Sequence, residues 1–389
     1  MAARPRPPIE PHQLQGLKYF ASVSTLLARL RPIATERDRA GNRDLFCDQY
    51  IGLLLIYFFN SIMTGLRALQ QASELEKVQA LLGVKRVSLG SLSEAARVFD
   101  ARVLHEILAE LALKAVPLTT GREAEALRGL TAVDGSLLPA LPRMAWALWN
   151  DDRHRGAKLH LHFDVLAAVP ADAAVTPGAC SEPGQMAAML QPNRLYVVDR
   201  GYASFELFGK ILGARSSFVA RVKESTVFTV KEERTVSAQA KAAGVVRDVV
   251  IAKLGTSHHK DYLRRPVRLV IVKRTKPDGA IDELWLVTDR LDLDADLVAL
   301  AYKYRWTVEL FFRWFKCVLG CRHLLSTGRN GVTIQVYVAL MASLLITLWT
   351  GRKANKRTFE MIQFYLIGWA SEAELQRHLD RLASAKTGH

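Results

Sequence analysis

Cysteine is scarce, with four in 389 residues, at positions 47, 180, 317 and 321. So few scattered thiols exclude a disulfide-stapled scaffold. Cys317 and Cys321 stand four apart on an expected helix, but no further Cys or His pair completes a zinc site with them. All four are read as reduced, which fits a cytoplasmic protein. Acidic residues are also in deficit: 38 Asp and Glu face 53 Lys and Arg, for a net charge of +15. That imbalance points to a polyanionic partner, either nucleic acid or an acidic membrane surface. Long apolar runs are few. Tyr50 to Met63 is too short to span a bilayer. Val332 to Trp349 is nearly long enough but is interrupted by Thr333, Gln335, Ser343 and Thr347, so it is expected to be a buried core helix. The opening MAARPRPPIEPH has no apolar stretch behind it and is not expected to be a signal peptide. Internal repeats and low-complexity segments are absent as well.

What is present is a globular chain, half hydrophobic and long enough for two or three domains. From about 12 to 115 the apolar residues recur at helical spacing, as in LKYFASVSTLLARL and LHEILAELAL, and SLGSLSEAARVFD offers serine caps. A helical N-terminal domain of a basic protein is a candidate for DNA binding or for packing support; no decisive helix-turn-helix pattern stands out. Near residue 128 the character changes. GLTAVDGSLL, KLHLHFDVL, RLYVVD and SSFVARV read as strands, with helices expected around 181–190 and 203–213, which makes an α/β core. From about 225 to 290 the pattern is mostly β, and residues 221–276 hold 14 Lys and Arg against 5 Asp and Glu. Such clustering fits a nucleic-acid surface, or else a solvated strand face that protects a sheet edge. After residue 294 the chain reads as helix.

Asp134, in Val-Asp-Gly-Ser, and Asp199, in Val-Val-Asp-Arg-Gly-Tyr, are each expected at a strand end. Alone, either is most often a turn residue. Strand ends of α/β sheets are nevertheless where sites are built, and two carboxylates gathered there need a neutralising hard cation such as magnesium. In YKYRWTVELFFRWFK, helical geometry places Tyr302, Arg305, Glu309 and Lys316 within an arc of about 60°, with Arg313 close by. On such a stripe the carboxylate suits a metal, while the cations and the phenol suit phosphate oxygens. A charged surface helix with i, i+4 pairs accounts for Arg305 and Glu309 alone.

The spacing Tyr302-x2-Arg305-x3-Glu309-x6-Lys316 resembles the signature of DDE transposases of the insertion-sequence-four type. Lys158-Leu159-His160, Thr176-Pro177-Gly178, Asp199-Arg200-Gly201-Tyr202 and Asn330-Gly331-Val332 with Gln335 also resemble that family, in the same order. One departure is Gly135, where many relatives place Ser or Thr after the aspartate. The resemblance implies a ribonuclease H-like core at 128–224 and 290–350. That core would be interrupted by a β-rich basic insertion at 225–289, preceded by an all-helical domain at 1–127 and followed by a helical region at 351–389. It implies cut-and-paste transposition on double-stranded DNA, both transposon ends and target, by at least a dimer and away from membranes. Asp134, Asp199 and Glu309 would be the catalytic acids holding two Mg2+ ions, for which Mn2+ substitutes. Tyr302, Arg305 and Lys316 would contact DNA; the basic clustering, apart from the resemblance, adds Arg264, Arg265 and Arg268 of the insertion as expected DNA contacts. Two alternatives are a related metal-dependent nuclease without strand transfer and an inactive transposase-derived DNA-binding protein.

Among the remaining residues, Trp285 is either an exposed base-stacking aromatic or a core tryptophan, and flanking Leu284 and Leu286 favour the core. His160 and His162 share a strand face, as structural histidines or neighbours of the acids. His258 and His259 are expected in a basic turn, and Trp306 and Trp314 as packing anchors off the acidic stripe.

Overall fold

The computed structural model describes residues 26–35, 44–60, 62–140, 143–151, 154–255, 263, 266–275, 279–321 and 323–384. They divide into two units, one of 116–138 with 156–312, the other of 1–115, 139–155 and 313–389.

The first unit is built on a mixed sheet. In chain order the strands are β1 (Leu130–Pro139), β2 (Leu148–Asp151), β3 (His154–Asp164), β4 (Val169–Pro177), β5 (Leu195–Val198), β6 (Ser217–Val222), β7 (Phe228–Glu233), β8 (Val245–Leu254), β9 (Val267–Thr275) and β10 (Ile281–Thr288). Leaving aside β2, which pairs with the start of β3, the spatial order is β4-β3-β1-β5-β6-β10-β9-β8-β7. β1, β5 and β6 run parallel, and β10, β9, β8 and β7 continue antiparallel from β6. The start of β1 meets the end of β3 through Val165 N–H donating to the Leu130 carbonyl, and Leu137 lies against Gly156, so that pair is antiparallel. The parallel centre is buried on both faces, which is why Leu195–Val198 is apolar without alternation.

The residues of β4 give little strand signal of their own. Its VPADAAVTP carries alanine and two prolines, poor strand formers, and proline is tolerated because the strand lies at an edge. β10 pairs with β6 on one side and β9 on the other, so β7 to β10 extend the central sheet. One face of this extension joins the core of Tyr196, Phe208, Phe218, Val249, Ile251 and Leu269. Phe208, on the helix Phe205–Gly213 capped by Ser204, stacks on Phe218 of β6 at 4.4 Å. Truncating such a buried ring costs about 3–5 kcal/mol.

The second unit is helical apart from β2. Its helices among the described residues are α1 (Leu30–Thr35), α2 (Cys47–Phe59), α3 (Leu66–Ala72), α4 (Glu76–Leu82), α5 (Leu89–Val98) and α6 (Ala101–Leu113) from the N-terminal part. Short helices of the first unit come next: α7 (Arg122–Ala126), α8 (Glu182–Ala188), α9 (Phe205–Gly213), α10 (Ala238–Ala242) and α11 (Ala295–Tyr304). The chain then forms α12 (Trp306–Cys317), α13 (Arg329–Thr350), α14 (Lys356–Leu366) and α15 (Glu372–Ser384). Ser88 caps α5 by accepting from Ser91 N–H, as its sequence suggests. α13 is the one described helix long and apolar enough to cross a membrane, and most of it is buried within the protein. The Asn330-Gly331-Gln335 pattern serves this packing. The Asn330 amide donates to the carbonyls of Ala96 and Phe99, a side chain at Gly331 would strike Ser326 and Ala96, and Gln335 pins Leu325 N–H and the His323 carbonyl.

Candidate active site

Parallel pairing of β1 and β5 brings Asp134 and Asp199 to the same end of two neighbouring strands. Leu130, Thr131 and Ala132 of β1 stand opposite Leu195, Tyr196 and Val197 of β5. The pairing ends at Ala132 and Val197, and Asp134 and Asp199 each follow two residues further along these neighbouring chains. Asp199 follows the last residue of β5, as expected. Asp134 does not end its strand: β1 runs on to Pro139, and Asp134 lies where the partner strand stops.

Asp199 caps the short 3-10 turn Arg200–Tyr202, accepting from Arg200 N–H at 2.7 Å. The Tyr302 hydroxyl donates to the same carboxylate at 2.9 Å. Burial works against ionising Asp199, but these two donors and the nearby Arg305 and Arg221 charges prevail and hold its carboxyl below the usual range. Tyr302 is pushed up to about 12 by burial and by the Asp199 charge, so it remains a donor. Asp134 is in the opposite condition. Its carboxyl is pushed up to about 6, foremost by burial, with Glu182 and Glu309 adding to the rise against the opposing pull of the Gly135 N–H and Arg305.

The signature segment is helical throughout but tightens at Arg305, where i to i+3 bonds separate α11 from α12. Arg305 keeps right-handed helical angles, so the stripe survives. Glu309 lies in the first turn of α12 and takes an ion pair from Arg305 at 2.6 Å. Phe311 of the same helix packs on Phe163 of β3 at 4.9 Å, which seats the helix against the strand next to β1. Lys316 is in the last turn of α12, about 10 Å beyond Glu309 along the axis. Among the described residues no group of three or more His, Cys, Asp or Glu converges tightly enough to hold one ion. The acids instead meet through Arg305, whose charge acts on Asp134, Asp199 and Glu309 together.

Three further side chains reach this corner without having been assigned a site role from the sequence. Glu182 opens α8 and lies against Gly135, where an added Cβ would stand 2.9 Å from its carboxylate. Lys158 of β3 pairs with Glu182 at 3.2 Å. Tyr202 is buried beside both Glu182 and Asp134. Glu182 carries no distinguishing signal in the sequence, since acids are common in first helical turns for dipole reasons alone.

The expected contacts in the β extension need correction. Arg268 is buried: its guanidinium forms a double bond pair with Asp248 at 2.6 Å and also donates to the Leu293 carbonyl, so it is withdrawn from any DNA phosphate. Arg264 and Arg265 lie outside the described residues, as do His258 and His259. Arg247, Lys273 and Arg274 pair with Glu233, Glu283 and Asp282, which spends much of the local positive charge across the strands. Trp285 is partly buried and meets Phe228 edge-on at 5.8 Å. Trp306 is not a packing anchor: it is 51% exposed and lines, with Leu284, Leu300, Tyr302 and Arg305, a cavity of about 480 Å³. Trp314 is buried. His160 is bonded to the Thr176 hydroxyl at 2.8 Å and His162 packs on Tyr196; burial draws both rings down to about 4, so they stay neutral.

A family model described as a transposase DDE domain matches residues 125–345, more than half of the chain. A protein described as transposase y4zB of Sinorhizobium fredii is 29% identical over 63% of this chain and 66% of its own length. The transposase described for insertion sequence element IS5377 of Geobacillus stearothermophilus is 24% identical over 80% of this chain and 79% of its own. Among solved structures, a piggyBac transposase synaptic complex with hairpin DNA is similar over 94% of this chain and 82% of its own, at 11% identity and a TM-score of 0.44.

Proposed function

The chain belongs to the family of transposases with a DDE domain, and from that premise we propose that it cuts DNA at transposon ends and joins those ends to target DNA, with Asp134, Asp199 and Glu309 as its catalytic acids. The observation that carries the assignment is the hydrogen bond from Tyr302 to Asp199 beside the Arg305–Glu309 pair. An ordinary charged helix has no reason to fasten itself to a strand-end aspartate. Here the signature helix does so with the first residue of its motif. In this reading β4-β3-β1 and the parallel β5 and β6 form a ribonuclease H-like core, extended by β7 to β10.

The donor set fits a divalent cation. It consists of carboxylate oxygens with no thiol or imidazole among them, the preference of hard ions such as Mg2+ and Mn2+. Burial of Asp134 under the charges of its acidic neighbours also leaves a site that gains from added positive charge. Asp134, Asp199 and Glu309 would hold Mg2+, as two ions. Such ions supply hard positive charge at the phosphoryl group under attack.

The side chains perform the positioning. Tyr302 fixes the Asp199 carboxylate and keeps it ionised. Arg305 balances Glu309 while no DNA is bound, and an incoming phosphodiester competes for the same guanidinium. Lys316 grips the backbone two turns further along the helix. No side-chain nucleophile is needed, because water and then the freed 3′-hydroxyl attack phosphorus. Bringing two ends together requires at least two copies of the chain.

The test pairs cleavage of end DNA, with Mg2+ or Mn2+, with a gel-shift assay. Asp134→Ala, Asp199→Ala and Glu309→Ala are each expected to abolish cleavage with DNA binding largely intact, since backbone charge supplies most affinity. A wild-type rate in any one removes that residue from the site. Joined products separate transposition from simple cleavage.

A further inference from the structure

Glu182, in the first turn of α8, crowds the residue that follows Asp134. Its carboxyl carbon and oxygen come within 2.9 Å of the position a Cβ would take on Gly135, the residue after Asp134. A serine or threonine there would have to push this carboxylate aside. Gly135 has no left-handed backbone that calls for glycine, so the missing side chain serves the space and not the turn.

Two more groups complete the corner. Lys158, only 13% exposed, places its Nζ 3.2 Å from Glu182 Oε1 and 3.3 Å from the Cys180 carbonyl. Tyr202 is 3% exposed, and its hydroxyl is turned to the Glu182 carboxylate, in the field of Asp134 as well, without reaching a well-formed hydrogen bond. Buried hydroxyls are nearly always bonded, to protein or to an ordered ligand. An unspent donor between two carboxylates therefore marks a place where a further oxygen belongs. Two carboxylates and a phenol are the partners of a hydrated hard cation: the first bind the ion, the second holds a water of its shell. The neighbouring ammonium supplies compensating charge when the ion is away.

We propose that Glu182 is a fourth carboxylate of the catalytic centre, sharing with Asp134 a divalent cation whose hydration shell meets the Tyr202 hydroxyl, and that Lys158 is the charge this cation displaces. The proposal rests on the reading that Asp134 belongs to a cation site. It also gives Gly135 a purpose, since the glycine makes room for the added acid.

The experiment is a Mn2+ titration of the full chain without DNA, followed by the resonance of free Mn2+ and by thermal melting. Glu182→Gln is expected to weaken Mn2+ binding by about tenfold to a hundredfold. Lys158→Met is expected to change it in the other direction and tighten binding, because a competitor has been removed. Gly135→Ala, which drives the carboxylate away, should copy Glu182→Gln. Tyr202→Phe should weaken Mn2+ binding by more than any change in its melting temperature accounts for. A purely structural Lys158–Glu182 pair would lower melting in both variants and leave Mn2+ affinity alone, and that result overturns the proposal. If Glu182→Gln binds normally while Asp134→Asn does not, only the fourth carboxylate fails; if both bind as wild type, the cation-site reading fails with it. Should Glu182→Gln not fold, Gly135→Ala and Glu182→Asp decide the matter by the same readout.

Discussion

Removing the charge of Asp134 should stabilise the metal-free protein. Its carboxyl is pushed from 3.8 to about 6, chiefly by burial, so between those values the folded state holds a proton that the unfolded chain has released. With more protons bound in the folded state, stability falls as pH rises through the window from about 4 to about 6, and stays lower above it. The rise of about two pH units corresponds to a ceiling of about 3 kcal/mol. Asp134→Asn keeps the shape and the acceptor for Gly135 N–H but cannot ionise. In a chelator-treated sample at pH 8 the variant should therefore melt higher than wild type. At about 2–4 °C per kcal/mol for a unit of this size, the ceiling is about 6–12 °C. Below pH 4 the two should coincide. Adding Mn2+ should raise wild type and leave the variant unmoved, because a ligand stabilises only the form that binds it. Melting curves that stay parallel from pH 4 to pH 8 would refute the argument, since the charge would then carry no cost in the fold.

Tyr302→Phe removes a neutral donor from an ionised acceptor, worth about 1.5–3 kcal/mol, so cleavage should fall about tenfold to a hundredfold. With that donor gone Asp199 is held down less, and the acidic limb of the pH–rate profile should move to higher pH. Arg268→Ala leaves Asp248 charged in the interior and should cost about 3–5 kcal/mol, whereas Arg268→Met with Asp248→Leu should recover most of it; denaturant melts check both. Neither change should alter the salt dependence of DNA binding in folded protein, and a slope reduced by about one would restore Arg268 as a phosphate contact. Glu309→Gln should block cleavage at every metal concentration, while Lys316→Ala should raise the DNA concentration required; equal losses tracking stability would make the helix structural.

The strands with β-branched apolar runs were legible from composition alone, and so were the two aspartates that parallel pairing brings to the same end of neighbouring strands. β4 was not, because alanine and proline give no strand signal, and only pairing along β3 makes VPADAAVTP extended. The basic insertion misled in a more instructive way. A count over 221–276 gives fourteen cations and five acids but cannot show which of them pair across the ladder, with Glu233 and Asp248 inside that window and Asp282 and Glu283 beyond it. Arg268 looked like one of a surface cluster, yet its position on β9 turns it inward. Trp306 departs from expectation, while Trp314 does not, for a similar reason: helical angle alone cannot say which side of α12 another element covers.

The four acids of the centre differ in how their charge is met, and this difference orders their roles. Glu309 has Arg305, and Glu182 has Lys158. Asp199 has two hydrogen-bond donors and two guanidinium groups nearby. Asp134 has a single backbone N–H and only a distant share of Arg305, against burial and two neighbouring carboxylates. A fold selected for stability alone would replace such a residue with asparagine or an apolar side chain, because an unpaired buried charge is costly. Its retention is intelligible if the compensating charge arrives from outside the chain. The other acids can then serve two states, held by a protein cation before the ion binds and by the ion afterwards, whereas Asp134 is fitted to the second state only. For that reason the stability of this one residue, and not that of the signature helix, should report most directly on whether a cation has entered.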